Sequence, residues 1–427
     1  MLVFRANEPG LETEYDNMLA CIRCGLCLTS CPTYVLSLHE AEGPRGRVGM
    51  ARALAEGSLQ PTSDLVEHEL NCLVCDACSA VCPAGVHMDP LQVVLRSRLA
   101  AGQTTNSKAR LVRWLVFGWL FMDMRRFRWL ARLLWLYQRL GMRWLARHLG
   151  VLHALGLEET ERLLPAMPRT FVTPRDEAYP SESAQDKTAV AFFAGCVMST
   201  AMADVDRATI RVLQRSGFAV TNPRQQGCCG ALHAHGGDLP RALDLARRNI
   251  AAFEATEGAI VVNSAGCGAM LKDYAHHLRH DKAFASRAAA FSARVRDLSE
   301  TLTADALQLH RGLHTKVVYQ DACHLLHAQR ISRQPRQLLR QIEGLELVEI
   351  DEAALCCGSA GVYNVTNPRE SRQLQQRKLD NALRVTPDLI VTANPGCLLQ
   401  LKAGIEQRGS NVQVRHLAEV LDEASAP

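Results

Sequence analysis

The 427-residue chain is 48% apolar and 22% charged, a composition typical of a globular protein with roughly two to four domains. Its formal net charge of +4 is small for this length, and no nucleic-acid partner is expected. A secretory signal and a transmembrane helix are not expected either, because the first residues include acidic side chains and no run of about 18 apolar residues occurs.

The cysteine content is the first constraint on function. The chain contains 16 cysteines. The missing signal segment predicts a cytoplasmic location, where thiols stay reduced. We therefore expect the cysteines to be metal ligands or redox groups rather than structural disulfides.

Eight cysteines form two blocks near the N-terminus, CIRCGLCLTSCP and CLVCDACSAVCP. Both match C-x2-C-x2-C-x3-C-P, in which three close thiolates hold one cubane and the fourth ligand comes from the other block. A pair of zinc ribbons is the alternative, but four cysteines followed by a proline fit it poorly. We predict two [4Fe–4S] clusters, cluster 1 at Cys21, Cys24, Cys27 and Cys82, and cluster 2 at Cys72, Cys75, Cys78 and Cys31.

The stretch between the blocks, Gly43 to Gly57, predicts a short helix, because it starts with a Gly-Pro turn and ends on glycine. Two interpretations of its arginines, Arg45 and Arg47, are open. They lie near an anionic cluster, or they are solvated charges at a helix start.

Residues 108–148 form a basic, aromatic segment. It has ten Lys or Arg and one acid, so its net charge is +9, which leaves −5 for the rest of the chain. All five tryptophans lie in it, Trp114, Trp119, Trp129, Trp135 and Trp144. On a helix, six arginines fall within an arc of about 100°, namely Arg125, Arg128, Arg132, Arg139, Arg143 and Arg147.

This segment has two interpretations, which the sequence leaves open. A helix with a basic stripe and many Trp, Phe and Leu residues is typical of a helix that lies at a membrane interface. Alternatively, it is a connector whose apolar side packs on the cysteine-rich domains or on a partner subunit. The following stretch, 168–187, predicts a flexible linker.

The other eight cysteines belong to an internal repeat. Two Cys-Cys-Gly motifs are 128 residues apart, and a single cysteine precedes and follows each motif at offsets of 127 and 130 residues. The flanking segments repeat as well, AVAFFAGC with KVVYQDAC and AIVVNSAGC with LIVTANPGC. This pattern indicates a duplication, and the repeated cysteines are Cys196, Cys228, Cys229 and Cys267 in the first CCG repeat and Cys323, Cys356, Cys357 and Cys397 in the second.

Short apolar runs alternate with helical stretches in both repeats, which predicts parallel sheets. Each cysteine follows a predicted strand, and loops at the carboxyl ends of parallel strands converge. We expect the four thiols of each repeat to form one site that holds a metal, an iron–sulfur centre or a redox dithiol. Inert buried cysteines are the alternative, and the neighbouring histidines are either ligands, proton carriers or solvated side chains, namely His233, His235, His324 and His327.

Several catalytic signatures do not occur in the sequence. It contains no G-x-G-x-x-G after a strand, no phosphate-binding G-x-x-x-x-G-K-[ST] and no H-E-x-x-H or G-x-S-x-G. The chain is therefore expected to move electrons as one subunit of a larger enzyme, with a flavoprotein partner as the donor.

The combination of motifs resembles the iron–sulfur subunits of bacterial glycolate oxidases. The similar stretches, in order, are CIRCGLCLTSCPTYVLSLHEAEGPRGRVGMA, CLVCDACSAVCPAGV, AGCGAMLKDY, LCCGSAGVYNVTNP and IVTANPGC. The resemblance implies a complex with FAD-containing subunits that oxidise glycolate to glyoxylate, with electrons leaving through this subunit's clusters to a membrane quinone. The expected location is cytoplasmic, and it is peripheral at the cytoplasmic face of the inner membrane if residues 108–148 bind lipid.

Related CCG domains of heterodisulfide reductases hold a non-cubane cluster with five cysteines. Here the fifth position is Ser264 in the first repeat and Asn394 in the second, which argues against such clusters and leaves zinc, another cluster or a dithiol. Alternative functions are the cluster subunit of an anaerobic glycerol-3-phosphate or D-lactate dehydrogenase, a thiol–disulfide oxidoreductase, and a zinc-stabilised docking scaffold.

The expected fold is a multidomain α/β protein with a helical two-cluster ferredoxin module, a helical connector and two tandem α/β CCG repeats. The predicted boundaries are 1–100 for the ferredoxin module, 101–187 for the connector and linker, 188–312 for the first repeat and 313–427 for the second.

Overall fold

The computed structural model describes residues 10–102, 107–154, 161, 164–182, 188–303 and 306–427. Within them the expected fold class is confirmed, because a helical N-terminal module is followed by a helical connector and by two α/β units with largely parallel sheets. No helix in these ranges is both long and apolar enough to span a bilayer.

The N-terminal module consists of short helices around the cysteine blocks. Helix Pro44–Ala55 confirms the helix predicted between the blocks. Its residues Val48 and Ala51 belong to the same core as Leu91 and Leu95 of the long helix Met88–Gly102. The other elements are the 3-10 turns Leu11–Glu14 and Glu40–Glu42 and the helices Tyr15–Leu19, Pro32–Ser37, Ser63–Leu70 and Ala77–Ala80.

The connector is not one continuous helix. Its longest helix begins where the Asp123 carboxylate accepts the Arg125 N–H at 2.7 Å, and it ends before Gly141, whose φ of 69° is left-handed. The predicted arginine stripe is therefore divided, since Arg143 and Arg147 belong to the next helix. The segments are Ser107–Arg113, the π-helical Trp114–Leu120, Met124–Arg139, Met142–His148 and Val151–Ala154.

The first repeat is built on a five-stranded sheet. The strands are β1 Arg175–Tyr179, β2 Thr188–Phe193, β3 Phe218–Asn222, β4 Ala259–Val262 and β5 Val295–Asp297. Their order in the sheet is β1-β3-β2-β4-β5. Strands β2 to β5 are parallel, and β1 pairs antiparallel with β3 at the edge.

The flexible linker predicted over 168–187 is wrong over Arg175–Tyr179, which forms β1. The sequence of this strand, RDEAY, is mostly charged, because an edge strand with solvent contact needs no apolar run. Residues 183–187 of the prediction lie outside the described residues.

The second repeat has a four-stranded, fully parallel sheet. The strands are β6 Thr315–Tyr319, β7 Leu345–Val348, β8 Leu389–Thr392 and β9 Gln413–His416. Their order, β7-β6-β8-β9, corresponds to β3-β2-β4-β5 in the first repeat, so the duplication predicted from cysteine spacing is confirmed in topology.

The two repeats share one hydrophobic core. Helix Ala203–Arg215 of the first repeat packs on the final helix Leu417–Ala424, and Arg211 forms an ion pair with Asp422 at 2.5 Å. The other helices are Ala231–His235, Leu239–Phe253, Ala265–His277, Ala285–Arg294, Leu298–Thr301, the π-helical His324–Ala328, Arg333–Arg340, Tyr363–Thr366, Pro368–Leu383 and Pro395–Gln407.

Candidate metal centres

The structure brings together the four thiols predicted for cluster 2. Cys31 of the first block and Cys72, Cys75 and Cys78 of the second line one cavity. The fourth cysteine of one block thus lies with the first three of the other, as the sequence pattern requires. Their role as ligands stays a prediction, and an all-thiol set of four around one cavity fits a [4Fe–4S] cluster.

The backbone of both blocks adopts the same unusual shape around its second cysteine. Arg23 and Gly25 flank Cys24 with φ of 58° and 86°. In the second block the neighbours of Cys75 have φ of 51° and 59°. Left-handed conformations cost non-glycine residues about 1–3 kcal/mol each, so the loops are held in a shape that their own sequence does not favour.

The thiols predicted for cluster 1 lie closer to solvent. Cys24 is exposed, and Cys21 and Cys27 are half-buried. Burial raises the pKa of Cys27, and the nearby thiols of Cys21 and Cys24 raise it further. Cys82, which packs with Cys21 against the same core, accepts the N–H of Val86 at 3.4 Å. Its place as the fourth ligand stays a prediction.

The arginines between the blocks differ in their surroundings. Arg45 is partly exposed and pairs with Glu40 at 2.5 Å. Arg47 is buried, and its Nη1 lies 4.0 Å from Cys31 Sγ. Arg47 therefore lies beside the thiols of cluster 2, whereas Arg45 makes an exposed ion pair near the first block.

The first CCG repeat assembles its four thiols into a chain of sulfur contacts. Cys196 Sγ lies 3.7 Å from Cys228 Sγ. Cys228 also interacts with Cys229, which interacts in turn with Cys267. Hydrogen bonds from Cys196 and Cys229 hold the pKa of Cys228 well below its usual range. We call this set CCG site 1.

The second CCG repeat repeats the arrangement. Cys323 interacts with Cys356, Cys356 with Cys357, and Cys357 with Cys397. Hydrogen bonds from Cys356 and Cys397 hold the pKa of Cys357 well below its usual range, and a hydrogen bond from Cys356 does the same for Cys323. We call this set CCG site 2.

The glycine of each motif explains part of the Cys-Cys-Gly pattern. Gly230 and Gly358 have φ of 89° and 85°. A Cβ on Gly358 would lie 2.5 Å from the Ser371 carbonyl oxygen, and one on Gly230 would lie 3.1 Å from that of Ala242. Only glycine combines this conformation with so close an approach of the following helix.

The two CCG sites have different neighbours. Cys196 and Cys228 of CCG site 1 share a small apolar cluster with Met124 of the connector. Cys323 and Cys356 of CCG site 2 share one with Cys75 of the ferredoxin module, which also includes buried leucines and a tyrosine. CCG site 2 therefore lies beside Cys75, one of the thiols predicted for cluster 2, and CCG site 1 lies beside the connector.

Asn394, at the position of the absent fifth cysteine, joins the two repeats. Its Nδ2 donates to Cys397 Sγ at 3.5 Å, and its Oδ1 accepts the N–H of Gly266 at 3.1 Å. Gly266 directly precedes Cys267 of CCG site 1. The equivalent Ser264 of the first repeat is buried. The asparagine thus bonds a thiol of one site and the backbone of the other.

The four predicted histidines have different partners. His233 Nε2 donates to the Phe117 carbonyl of the connector at 2.8 Å, and His327 Nε2 donates to that of Ala354 at 3.0 Å. His324 Nδ1 lies 3.6 Å from Cys323 Sγ. Burial lowers the pKa of His324, but the Cys323 thiolate and two buried carboxylates outweigh it and raise that pKa to about 9.

Sequence reasoning named His235 and His324 but missed the buried acids beside them, which lie between the ferredoxin module and the repeats. His235 Nε2 lies 3.3 Å from an Asp89 carboxylate oxygen, and its ring stacks on that of His324 at 5.6 Å. Burial raises the pKa of Asp89, but His235 and neighbouring histidines lower it to about 2. Asp76 and Asp273 interact with the same carboxylate. Residues so far apart in the chain give no local signal.

Another missed residue is Lys378, which is 1% exposed. Its Nζ donates to the carbonyls of Glu352 and Ala353 at 2.6 and 2.9 Å, so it supports the loop that leads to Cys356.

No group of three or more His, Cys, Asp or Glu in the described part of the chain surrounds a point that a single metal ion would fill.

Known protein families match successive parts of the chain in the order predicted from the sequence. A 4Fe-4S dicluster domain matches residues 20–86, and the linker region of glycolate oxidase iron–sulfur subunits matches 108–164. A cysteine-rich domain matches twice, over 190–272 and 317–402.

Two relatives that match along nearly the whole chain are described as glycolate oxidase iron–sulfur subunits. A probable glycolate oxidase iron–sulfur subunit of Bacillus subtilis is 40% identical over 98% of this chain and 96% of the relative. The glycolate oxidase iron–sulfur subunit of Escherichia coli is 31% identical over 98% of this chain and 97% of the relative. Lactate utilization protein A of Geobacillus kaustophilus is 30% identical over 55% of this chain and 98% of that protein.

Proposed function

The chain belongs to the family of glycolate oxidase iron–sulfur subunits, and on that basis we propose that it conducts electrons from an FAD-containing partner that oxidises glycolate to glyoxylate. The oxidation releases two electrons and two protons, and a quinone-type acceptor takes them up. The catalytic step on glycolate belongs to the partner. As an iron–sulfur subunit of an oxidoreductase, this chain supplies the electron path.

The observation that carries the proposal is the continuity of the cysteine sites. Cys31, Cys72, Cys75 and Cys78 line one cavity, and Cys75 lies in the same apolar cluster as Cys323 of CCG site 2. We propose that these four cysteines hold cluster 2 and that Cys21, Cys24, Cys27 and Cys82 hold cluster 1. A [4Fe–4S] cluster accepts and releases one electron at a time.

We propose that the predicted regions act as separate parts of this path. The ferredoxin module, 1–100, holds both clusters. The connector, 101–187, lies beside CCG site 1 through residues around Met124 and contributes Arg175–Tyr179 to the sheet of the first repeat. The repeats, 188–312 and 313–427, hold zinc, a further iron–sulfur centre or a dithiol at their thiols. Thiolates bind both zinc and iron, so the donor chemistry suits each of these, but a single zinc ion would require the described thiols to move closer around one point.

The connector supports a peripheral contact with an anionic membrane. Trp129, Leu133, Leu136 and Leu140 are exposed, and at 100° per residue they form one stripe on the helix. The buried Met124 and Ala131 lie on the opposite face. Exposed arginines border the stripe, namely Arg125, Arg132 and Arg139. This pairing of apolar and cationic rows fits the headgroup region of a bilayer, where a quinone acceptor is also found.

Charge reversal tests the membrane contact. In the triple variant R125E/R132E/R139E, binding to vesicles that contain anionic phosphatidylglycerol should fall at least tenfold in a flotation assay. Three exposed basic residues of the repeats serve as the matched control, R224E/K282E/K402E, which should bind as the wild type does. Equal binding by both triple variants would exclude the connector as the lipid contact.

Anaerobic reduction by substrate tests the electron path. In the reconstituted complex, glycolate should reduce the clusters of this chain, observed by electron paramagnetic resonance. D-Lactate and glycerol 3-phosphate, the substrates of the alternative functions, should reduce them far more slowly. Rapid reduction by either alternative and none by glycolate would reject the glycolate assignment.

A further inference from the structure

Two buried guanidinium groups lie beside the thiols of cluster 2. Arg47 is 1% exposed, with Nη1 4.0 Å from Cys31 Sγ. Arg96 is 7% exposed and donates to the Cys72 carbonyl. Both cations therefore favour negative charge on the cysteine cluster.

Hydrogen bonds fix Arg47 on every side. Its Nη1 donates to Thr33 Oγ1 at 2.9 Å and to the Glu42 carbonyl at 2.6 Å. Its Nη2 lies 2.6 Å from the Glu42 carboxylate, and its Nε donates to the His68 carbonyl at 2.9 Å. A guanidinium does not lose its proton in a protein, so this charge is permanent and held in place.

Arg96 ties the same loop to the rest of the molecule. It donates to the Leu70 carbonyl at 3.2 Å and to that of His235, in the first repeat, at 2.8 Å. It also lies near Gln92, one turn before it on the same helix. Its charge is thus placed between the cysteine loop and the repeats.

Several carboxyl groups lie near these arginines. Glu42 pairs with Arg47 at 2.6 Å, and Glu69 and Asp89 interact with Arg96. Ionised carboxylates offset part of the positive charge, but each guanidinium still adds its own attraction for negative charge at the thiols.

Cluster 1 has no comparable surroundings. Its cationic neighbours are Arg23, which is exposed, and Arg45, which is 34% exposed and paired with Glu40. Arg45 donates to the Arg23 carbonyl at 3.3 Å. Water and counter-ions screen such a charge. Among the described residues, buried arginines therefore lie beside the predicted site of cluster 2 and not beside that of cluster 1.

We propose that Arg47 and Arg96 raise the reduction potential of cluster 2. The higher potential stabilises an added electron at this buried site, whose Cys75 lies beside CCG site 2. Each electron adds one negative charge to a centre that is largely cut off from water, and burial of an uncompensated charge is costly. The two fixed cations lower the free energy of the reduced state. One electron leaves cluster 1 and one enters cluster 2, so no other reactant is needed.

This inference depends on the proposed function, because it requires a cluster at these cysteines. The test is a redox titration of the purified, anaerobic holoprotein that follows both cluster signals. The signal lost in Cys75→Ala identifies cluster 2. In Arg47→Gln, the potential of cluster 2 should shift down and that of cluster 1 should stay in place.

A charge cycle separates an electrostatic effect from structural damage. Glu42→Gln should shift the cluster 2 potential up, and the double variant R47Q/E42Q should bring it back toward the wild-type value. The double variant removes both members of the Arg47–Glu42 ion pair, so neither buried charge is left without its partner. Arg45→Gln is the matched control and should not move cluster 2.

Three outcomes would overturn the inference. They are an unchanged potential in an iron-loaded Arg47→Gln variant, a downward shift in both single variants, and a larger downward shift in the double variant. If Arg47→Gln loads no iron, the double variant and Arg96→Gln carry the test. A wild-type chain without cluster signals would instead reject the proposed function.

Discussion

The free energy of unfolding should depend on pH through His416, because this histidine is buried. It is 1% exposed at the start of the last helix. Its Nδ1 accepts the Ala418 N–H at 3.1 Å, and its Nε2–H donates to the Asn263 carbonyl of the first repeat at 2.9 Å. The bond that Nδ1 accepts requires the neutral ring, whereas the Nε2–H bond can form in either protonation state. Burial lowers the pKa of His416 from 6.5 to about 4.

The sign of the effect follows from the direction of the shift. Folding favours neutral His416, so its contribution to stability is complete above pH 6.5 and is lost as the pH falls toward 4. With 1.36 kcal/mol per pKa unit, the loss reaches about 2 kcal/mol at pH 5 and about 3 kcal/mol at pH 4. His277 is also buried, with a pKa lowered by burial to about 4, and adds a loss in the same direction.

The variant His416→Asn isolates the contribution of His416. Asparagine can still cap the helix but cannot titrate, and the lost bond to Asn263 should cost about 0.5–1.5 kcal/mol at pH 7. Between pH 7 and pH 5 the variant should lose about 2 kcal/mol less stability than the wild type. Anaerobic urea unfolding, followed by circular dichroism, measures the difference at each pH.

Two results would refute this reasoning. Parallel stability curves for the wild type and His416→Asn between pH 7 and pH 5 would show that the ring titrates normally in the fold. A steeper loss in the variant would reverse the sign. The exposed His39 provides the control, since His39→Asn should leave the slope of the wild-type curve unchanged.

Two further predictions test the cysteine sites. Gly358→Ala should destabilise the second repeat by about 1–3 kcal/mol, because its φ of 85° and the Ser371 carbonyl oxygen at 2.5 Å leave no room for a Cβ. Gly409→Ala is the control and should cost less stability, because its Cβ position is open. Equal unfolding midpoints for the two variants would contradict this prediction. Cys31→Ala, in the first block, should remove the signal of cluster 2, and Cys82→Ala, in the second block, should remove the signal of cluster 1. If Cys31→Ala instead removed the signal of cluster 1, or Cys82→Ala that of cluster 2, the exchange of the fourth ligand between the blocks would be refuted.

The parts of the fold predicted from sequence are those with local or repeated signals. Cysteine spacing gave the two blocks, and the offsets of the Cys-Cys-Gly motifs gave a duplication whose strand order is the same in both sheets. The helix Pro44–Ala55 had a proline and a glycine at its ends. Each of these patterns reflects constraints within a few residues of the chain.

The parts that were not predicted depend on contacts between distant residues. Strand β1 is charged, and its pairing with β3 supplies the hydrogen bonds that its sequence does not suggest. The contact of Cys75 with Cys323 joins residues about 250 positions apart. Arg96 and Asp89 gain their roles only because a helix of the ferredoxin module packs on the repeats.

The most direct test of the central claim is the content of iron, acid-labile sulfide and zinc per chain after anaerobic purification. The account predicts about eight iron and eight sulfide for the two clusters. Additional zinc would assign a structural role to the CCG sites, and clearly more iron with matching sulfide would extend the electron path into them. About two zinc per chain without labile sulfide would contradict the account.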